Sequence, residues 1–203
     1  ANVYKVLTPS SKELDLTNYD AIHSYLQKRK PDLVVHAAGK VGGIQANINN
    51  PIEFLETNVA IGRNIIMASY SLGIRNFINL ASTCIYPKMA ENPLSEDKIL
   101  TGALEPTNEG YALAKIMMLR LCQYVQQGNK NFNYKTIIPC NLFGRFDKFE
   151  PQRSHLLPAI IHKIHEAKKN KFRNVEIWGD GKARREFMYA ADLADAVFKA
   201  LED

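Results

Sequence analysis

The segment YALAK places Tyr111 and Lys115 four residues apart, so on a helix both side chains emerge on one face. An ammonium beside a phenol favours the phenolate and lowers the tyrosine pKa. Such a tyrosine can hand a proton to a carbonyl oxygen while hydride reaches the carbon. Ser82 follows the apolar run NFINLA at 76–81, and a serine hydroxyl at a strand end can hydrogen-bond the same oxygen. Tyrosine and lysine at this spacing are frequent on ordinary surface helices, and the pair alone favours that plainer reading. Ser82 on an adjacent strand end brings the two readings level. Cys84 stands two residues further on. A lone cysteine there is most often a small buried filler, yet a thiol in a backbone-lined cleft would add a second kind of chemistry.

These residues need a scaffold, and the chain alternates short β-branched runs with amphipathic helical patterns. Residues 2–7 read as a strand. Thr17 and Asp20 make a loose capping box for a helix carrying Ile22, Tyr25 and Leu26. Residues 32–38 read as a strand apolar on both faces, as in a parallel sheet covered on both sides. The loop KVGGIQANINN leads to a helix from Pro51, with Asn50 as cap, Glu53 in its first turn and Gly73 closing it. Strand 76–81, a long loop, a helix over 108–127 and strand 134–139 follow. A helix from Ser154 carries Leu157, Ile160, Ile161 and Ile164. Residues 175–182 read as a strand and turn, and 192–203 as a last helix.

Strands alternating with helices predict an α/β fold built on a parallel sheet. Ligands of such sheets sit at the carboxyl ends of the strands. Residues 36–39, 81–84 and 139–144 all lie at such ends and point to one crevice. No glycine-rich dinucleotide fingerprint follows the first strand, where TPSS stands instead. GKVGG at 39–43 follows the second strand and opens no helix.

Composition narrows the class. With 203 residues, 46% of them apolar, the chain can bury one sizeable core, or one domain and part of another. No apolar stretch approaches the roughly 20 residues of a membrane span, and ANVYKVLTPSS lacks the pattern of a signal peptide; the expectation is a soluble protein. Cys84, Cys122 and Cys140 have no metal-ligand spacing and cannot all pair, which suits a reducing compartment. A net charge of +5 reads as a lysine-rich solvated surface. The basic stretch KIHEAKKNKFR lacks the interleaved aromatics of a nucleic-acid interface.

Taken together and in order, AAGKVGGI, STCIYP, LEPTNEGYALAK, PCNLFG, SHLLPAIIHKIHEA and WGDGKARREF followed by YAADLADA resemble the extended, sugar-nucleotide-modifying branch of the short-chain dehydrogenase/reductase superfamily. Within that branch the chain is most similar to the GDP-L-fucose synthase family. The resemblance implies a Rossmann-like doubly wound parallel sheet over 1–145, part of a smaller substrate-binding domain over 146–185, and a return to the first domain over 186–203. It also implies a fragment, lacking the first glycine-rich βα unit and the C-terminal end.

The implied activity is NADPH-dependent 3,5-epimerisation and 4-reduction of GDP-4-keto-6-deoxy-D-mannose. Inverting two carbons beside a ketone requires a base and an acid besides the tyrosine. By resemblance these are Cys84 and His155, a thiol of unperturbed pKa about 8.5 and a histidine, which trade protons near neutral pH. Ser82, Tyr111 and Lys115 serve the reduction. Leu80, Ala81, Ser82, Thr83, Pro139, Cys140, Asn141 and Leu142 would line the NADP, with Lys115 on its ribose and His155 nearby. Lys163, Trp178 and Arg185 fall where the family grips the GDP-sugar, the two cations suiting a diphosphate. Two departures stand out: Lys163 replaces the arginine of many relatives, and GRFDKF at 144–149 carries Arg145 and Phe146 in place of the usual residues. Cys122, Cys140, His23, His36, His162 and His165 read as structural or surface groups.

Further expectations are a cytoplasmic homodimer, paired through the apolar faces of IIMASYSLG and IMMLRLC in a four-helix contact, and no metal. Two alternatives stay open: another sugar-nucleotide epimerase or dehydratase of the superfamily, and a nucleotide-binding scaffold without turnover.

Overall fold

A computed structural model describes residues 4–150, 154–177, 179–182 and 184–202. Three strands, β1 (Leu33–His36), β2 (Asn76–Leu80) and β3 (Asn133–Ile137), form a parallel sheet in the order β1-β2-β3. Between them run α2 (Ile44–Asn49), α3 (Pro51–Ser71) and α4 (Glu109–Gly128); α1 (Tyr19–Arg29) precedes the sheet. Two further strands, β4 (Asn141–Phe143) and β5 (Phe187–Tyr189), pair in parallel as a second small sheet. Helix α5 (Leu156–Lys169) and helix α6 (Ala190–Glu202) complete the described elements. The fold is Rossmann-like, as the resemblance implies, and is built on the parallel sheet that the alternation of strands and helices predicts.

Side-chain alternation divides the sheet into two faces. Val34, Phe77 and Tyr134 lie in register across the three strands and join Ile22 and Leu26 of α1, Ile65, Ile66 and Ala68 of α3, and Met118, Cys122 and Val125 of α4 in one core. The Phe77 and Tyr134 rings stack at 5.0 Å, and the Tyr134 hydroxyl donates to the Ile74 carbonyl at 3.1 Å. Helices α3 and α4 touch closely because Gly62 leaves room for Met118. A second core beneath the start of α4 gathers Ala81, Ile85, Tyr86, Ile99, Leu104, Ala112 and Ile116.

Several local expectations shift. The side-chain cap of α1 is Asn18, which accepts from the Ala21 amide at 3.1 Å, and not Thr17, whose hydroxyl donates to Asp15. Residues 4–7 form no strand; Tyr4 instead meets Phe198 of α6, and Val6 is exposed. The second face of the sheet is only partly covered among the described residues, with Val35 at 42% exposure although Ile78 is buried. The loop read between 40 and 50 contains α2. Residues 175–177 form no strand, although the turn after them holds, with Gly179 and Gly181 at positive φ. Strands β4 and β5 were unreadable because three residues carry no periodicity. Most apolar side chains of the two segments assigned to a dimer face are spent on the core: Ile65, Ile66 and Ala68 on α3, and Ile116, Met118 and Leu119 on α4 are all buried. The outward apolar residues of these helices are Ile52, Leu55, Tyr70, Leu113 and Tyr124. Among the described residues no helix is long and apolar enough to cross a membrane.

Candidate active site

Lys115 is the anchor of the site. It emerges from the second turn of α4, is 4% exposed, and donates from Nζ to the Leu80 carbonyl at 2.8 Å. That carbonyl ends β2, so the ammonium sits at the carboxyl edge of the sheet. One helical turn earlier, Tyr111 lies beneath it, with Nζ 5.6 Å from the ring centroid. The four-residue spacing therefore does place both groups on one face. Ser82 and Cys84 come from the other side: Ser82 precedes a single 3-10 turn, Thr83–Ile85, that carries Cys84 back over the strand end. The Ser82 side chain lies close enough to the Cys84 thiol to lower its pKa.

Burial governs the charges here. It pushes the Lys115 pKa down, while the neighbouring Cys84 pulls it up. It pushes the Cys84 thiol up, opposed by the Ser82 side chain and by the Lys115 ammonium. Tyr111 is also raised, by burial first and by Cys84 second. The expected lowering of Tyr111 by Lys115 is thus overturned. The ammonium lies over the ring face, a cation–π position, and desolvation of the phenolate prevails.

The wall opposite is backbone. Asn58 of α3 accepts from the Lys40 amide at 2.8 Å and donates to the Lys40 and Phe54 carbonyls, pinning the chain where it leaves β1. Gly39 occupies the closest point: a Cβ there would lie 3.0 Å from Asn58 Oδ1 and 3.9 Å from Lys115 Nζ. Asn47 staples the next two glycines, donating to the carbonyls of Gly42 and Gly43. Leu80, Ala81, Ser82 and Thr83 line the end of β2; Pro139, Cys140, Asn141 and Leu142 continue from β3 into β4. The Ala81 amide donates to the Ile137 carbonyl at 2.8 Å, holding the two ends together.

The remaining expected residues lie further out. His155 is the exposed N-cap of α5, and among the described residues no hydrogen bond joins it to Cys84. Its neighbour Ser154 approaches the glycine loop, with the Ser154 carbonyl 3.8 Å from the place of a Cβ on Gly43. Lys163 donates to the Glu176 carbonyl at 2.9 Å, and Arg185 is exposed, its Nη1 on the Arg184 carbonyl. Trp178 lies outside the described residues. Tyr111 also lines an open cleft of about 190 Å³ with Phe54, Asn47 and Asn108.

Sequence reasoning passed over Asn58 and placed His36 among structural or surface groups. Both are buried polar residues within otherwise apolar elements, and that contrast was the available signal. Among the described residues no cluster of metal-ligating side chains occurs.

Residues 2–203 match the NAD dependent epimerase/dehydratase family. The chain is 54% identical over 200 residues to a GDP-L-colitose synthase of Yersinia pseudotuberculosis, covering 98% of this chain and 65% of that protein. It is 53% identical over 199 residues to a GDP-L-fucose synthase of Azorhizobium caulinodans, covering 98% and 64%. The solved structure of a GDP-L-fucose synthetase from Naegleria fowleri bound to NADP superposes with a TM-score of 0.85 at 33% identity, covering 94% of this chain and 62% of that one. The chain therefore spans just under two thirds of the length of these relatives. With a parallel sheet, a Tyr–Lys pair on α4 whose lysine is buried, and a family match over nearly every residue, this chain belongs to the NAD dependent epimerase/dehydratase family.

Proposed function

We propose that this chain belongs to an NADPH-dependent enzyme that epimerises GDP-4-keto-6-deoxy-D-mannose at C3 and C5 and reduces its C4 ketone to give GDP-L-fucose. The observation that carries the reading is the gathering of Ser82, Cys84, Tyr111 and Lys115 at the end of β2. Reduction needs the serine, tyrosine and lysine; the thiol has work only if protons must also move at carbon. The names of two relatives at 53–54% identity support a GDP-sugar substrate.

A nicotinamide dinucleotide fits this edge of the sheet. Gly39 keeps the approach open where any side chain would crowd Asn58, and Lys115 presents a buried ammonium suited to ribose hydroxyls. Leu80 to Thr83 and Pro139 to Leu142 would hold the nicotinamide half. The Naegleria relative is bound to NADP, which supports NADP over NAD. When bound, the cofactor supplies the hydride for C4.

The side chains of this protein do the rest. Tyr111, kept protonated by burial, gives its proton to the C4 oxygen. Ser82 orients that oxygen. Cys84 and His155 exchange protons with C3 and C5: a C–H proton leaves to one group, the ketone holds the electron pair as an enolate, and a proton returns to the carbon on the opposite face. No net oxidation occurs in that half. Cys84 begins as a thiol, and Lys115 is the charge that favours its thiolate. His155 on α5 would approach from the substrate side, where residues 146–185, with Lys163, Trp178 and Arg185, would hold the nucleotide sugar. We further infer a cytoplasmic homodimer, its contact formed by the outward apolar residues of α3 and α4.

The test is product analysis with NADPH and the 4-keto sugar nucleotide. GDP-L-fucose supports the reading; reduction without epimerisation refutes the role of the thiol. The Yersinia relative, at 54% identity, favours a second reading, a GDP-L-colitose synthase, which the same assay separates when the corresponding substrate is supplied.

A further inference from the structure

Beside the core rung of Val34, Phe77 and Tyr134 runs a polar one. His36, Asn79 and Thr136 stand in register on β1, β2 and β3, about 4.8 Å apart along the hydrogen-bonding direction, on the covered face of the sheet. Asn79 donates from Nδ2 to Thr136 Oγ1 at 3.3 Å, and the Thr136 hydroxyl also meets the Cys122 thiol. The other end is unsatisfied. His36 is 3% exposed and Asn79 fully buried, yet His36 Nε2 and Asn79 Oδ1 find no partner among the described residues. Two polar atoms left so on paired residues of a buried sheet face are costly unless something answers them.

Lys115 is the charged group that bears on this end of the rung. Its Nζ sits on the carbonyl of Leu80, the residue after Asn79, and its charge acts on His36. An ammonium has three N–H donors, and Leu80 accounts for one. The groups that face it are Cys84 from the 3-10 turn, Tyr111 from α4, His36 from β1 and the neutral Asn58 from α3. Burial disfavours the charged form of Cys84, Tyr111 and His36 alike, and among the described residues no carboxylate forms an ion pair with Lys115. A buried ammonium without a counter-ion must be held by neutral acceptors.

We propose that His36 and Asn79 are positioning residues for Lys115. The His36 Nε2 lone pair and the Asn79 amide oxygen form an acceptor floor that takes the remaining ammonium protons through internal water. The floor keeps Lys115 charged and fixes where it meets the ribose and Tyr111. This requires the His36 proton to reside on Nδ1. The consequence for catalysis rests on the reading of Lys115 given above; the test does not.

Imidazole nitrogen NMR of the unmodified protein reads the tautomer first: an unprotonated Nε2 on His36 is expected, and a proton there overturns the proposal. The pKa of Lys115 is then read from its ε-carbon in lysine-labelled protein, assigned with Lys115→Arg. His36→Leu and Asn79→Leu should each lower it by about one pH unit, the scale of one hydrogen bond to a buried charge. His36→Gln, which keeps an acceptor, should largely restore it. A Lys115 pKa unmoved in either folded leucine variant would show that the rung only sets strand register. If the unmodified protein shows no hydride transfer, the proposed function fails while these readings stand.

Discussion

Gly62→Ala tests the closeness of the two helices that carry the site. A Cβ on Gly62 would lie 2.0 Å from Met118 Sδ, 2.3 Å from its Cγ and 3.3 Å from its Cε. Swinging the thioether tip away does not relieve the Cγ overlap, and Met118 is only 1% exposed, so α3 and α4 must separate or Met118 must leave its place. Overpacking of this depth belongs at the upper end of its usual range, about 3 kcal/mol. The alanine returns about 1 kcal/mol of helix propensity. The net loss is about 2 kcal/mol, up to roughly a thirtyfold shift toward the unfolded state. Urea unfolding followed by circular dichroism should show the midpoint falling by about 1 M, with a slope typical of a small domain. In a Met118→Ala background the clash is gone, and the same substitution should raise the midpoint. A midpoint unchanged or raised in the otherwise unmodified protein would refute the close α3–α4 approach, and with it the placement of Tyr111 and Lys115 against β2.

Four other outcomes are expected. Tyr111→Phe should retain cofactor binding by fluorescence titration while hydride transfer, read from nicotinamide absorbance, falls by about 10²–10⁴. Cys84→Ser should abolish solvent deuterium incorporation at C3 and C5, detected by mass spectrometry; full incorporation would remove the thiol from the mechanism. Alkylation of Cys84 should require a higher pH than free cysteine, because burial raises its pKa, and Lys115→Met should move the profile higher still by removing the ammonium that opposes burial. His36 is held neutral by burial and then by Lys115, its pKa pushed from 6.5 down to about 3. In that window the unfolded chain takes up a proton that the folded chain refuses, so stability falls as pH drops from 6.5 toward 3, by at most about 1.4 kcal/mol per pH unit. Urea midpoints across that range should fall less steeply for His36→Gln.

The environment of the thiols shows how a site departs from a list of residue types. Cys122 and Cys84 are both cysteines within reach of a hydroxyl. Cys122 lies on the core side of α4, where burial pushes its pKa up to about 12; such a thiol is inert at neutral pH. Cys84 is also raised, but the Lys115 ammonium and Ser82 oppose the burial. The charge of one lysine, placed by a helix, separates a filler from a reactive candidate.

Sequence alone determined which segments become helix or strand wherever a period could repeat. Pro51 and Gly73 bracket α3, and the four-residue spacing of Tyr111 and Lys115 puts them on one face of α4 whatever surrounds it, because both are local properties of the chain. It also marked the three strand ends that converge. The tertiary structure alone decided the rest. It left residues 4–7 and 175–177 out of any strand, since a strand exists only beside a partner. It revealed β4 and β5, whose three-residue lengths are defined by each other. It reversed the direction of the Tyr111 pKa, because desolvation depends on what packs around the ring and not on the lysine four residues away. The register that lines His36 up with Asn79 and Thr136 joins residues 43 and 57 positions apart, a relation no local pattern contains.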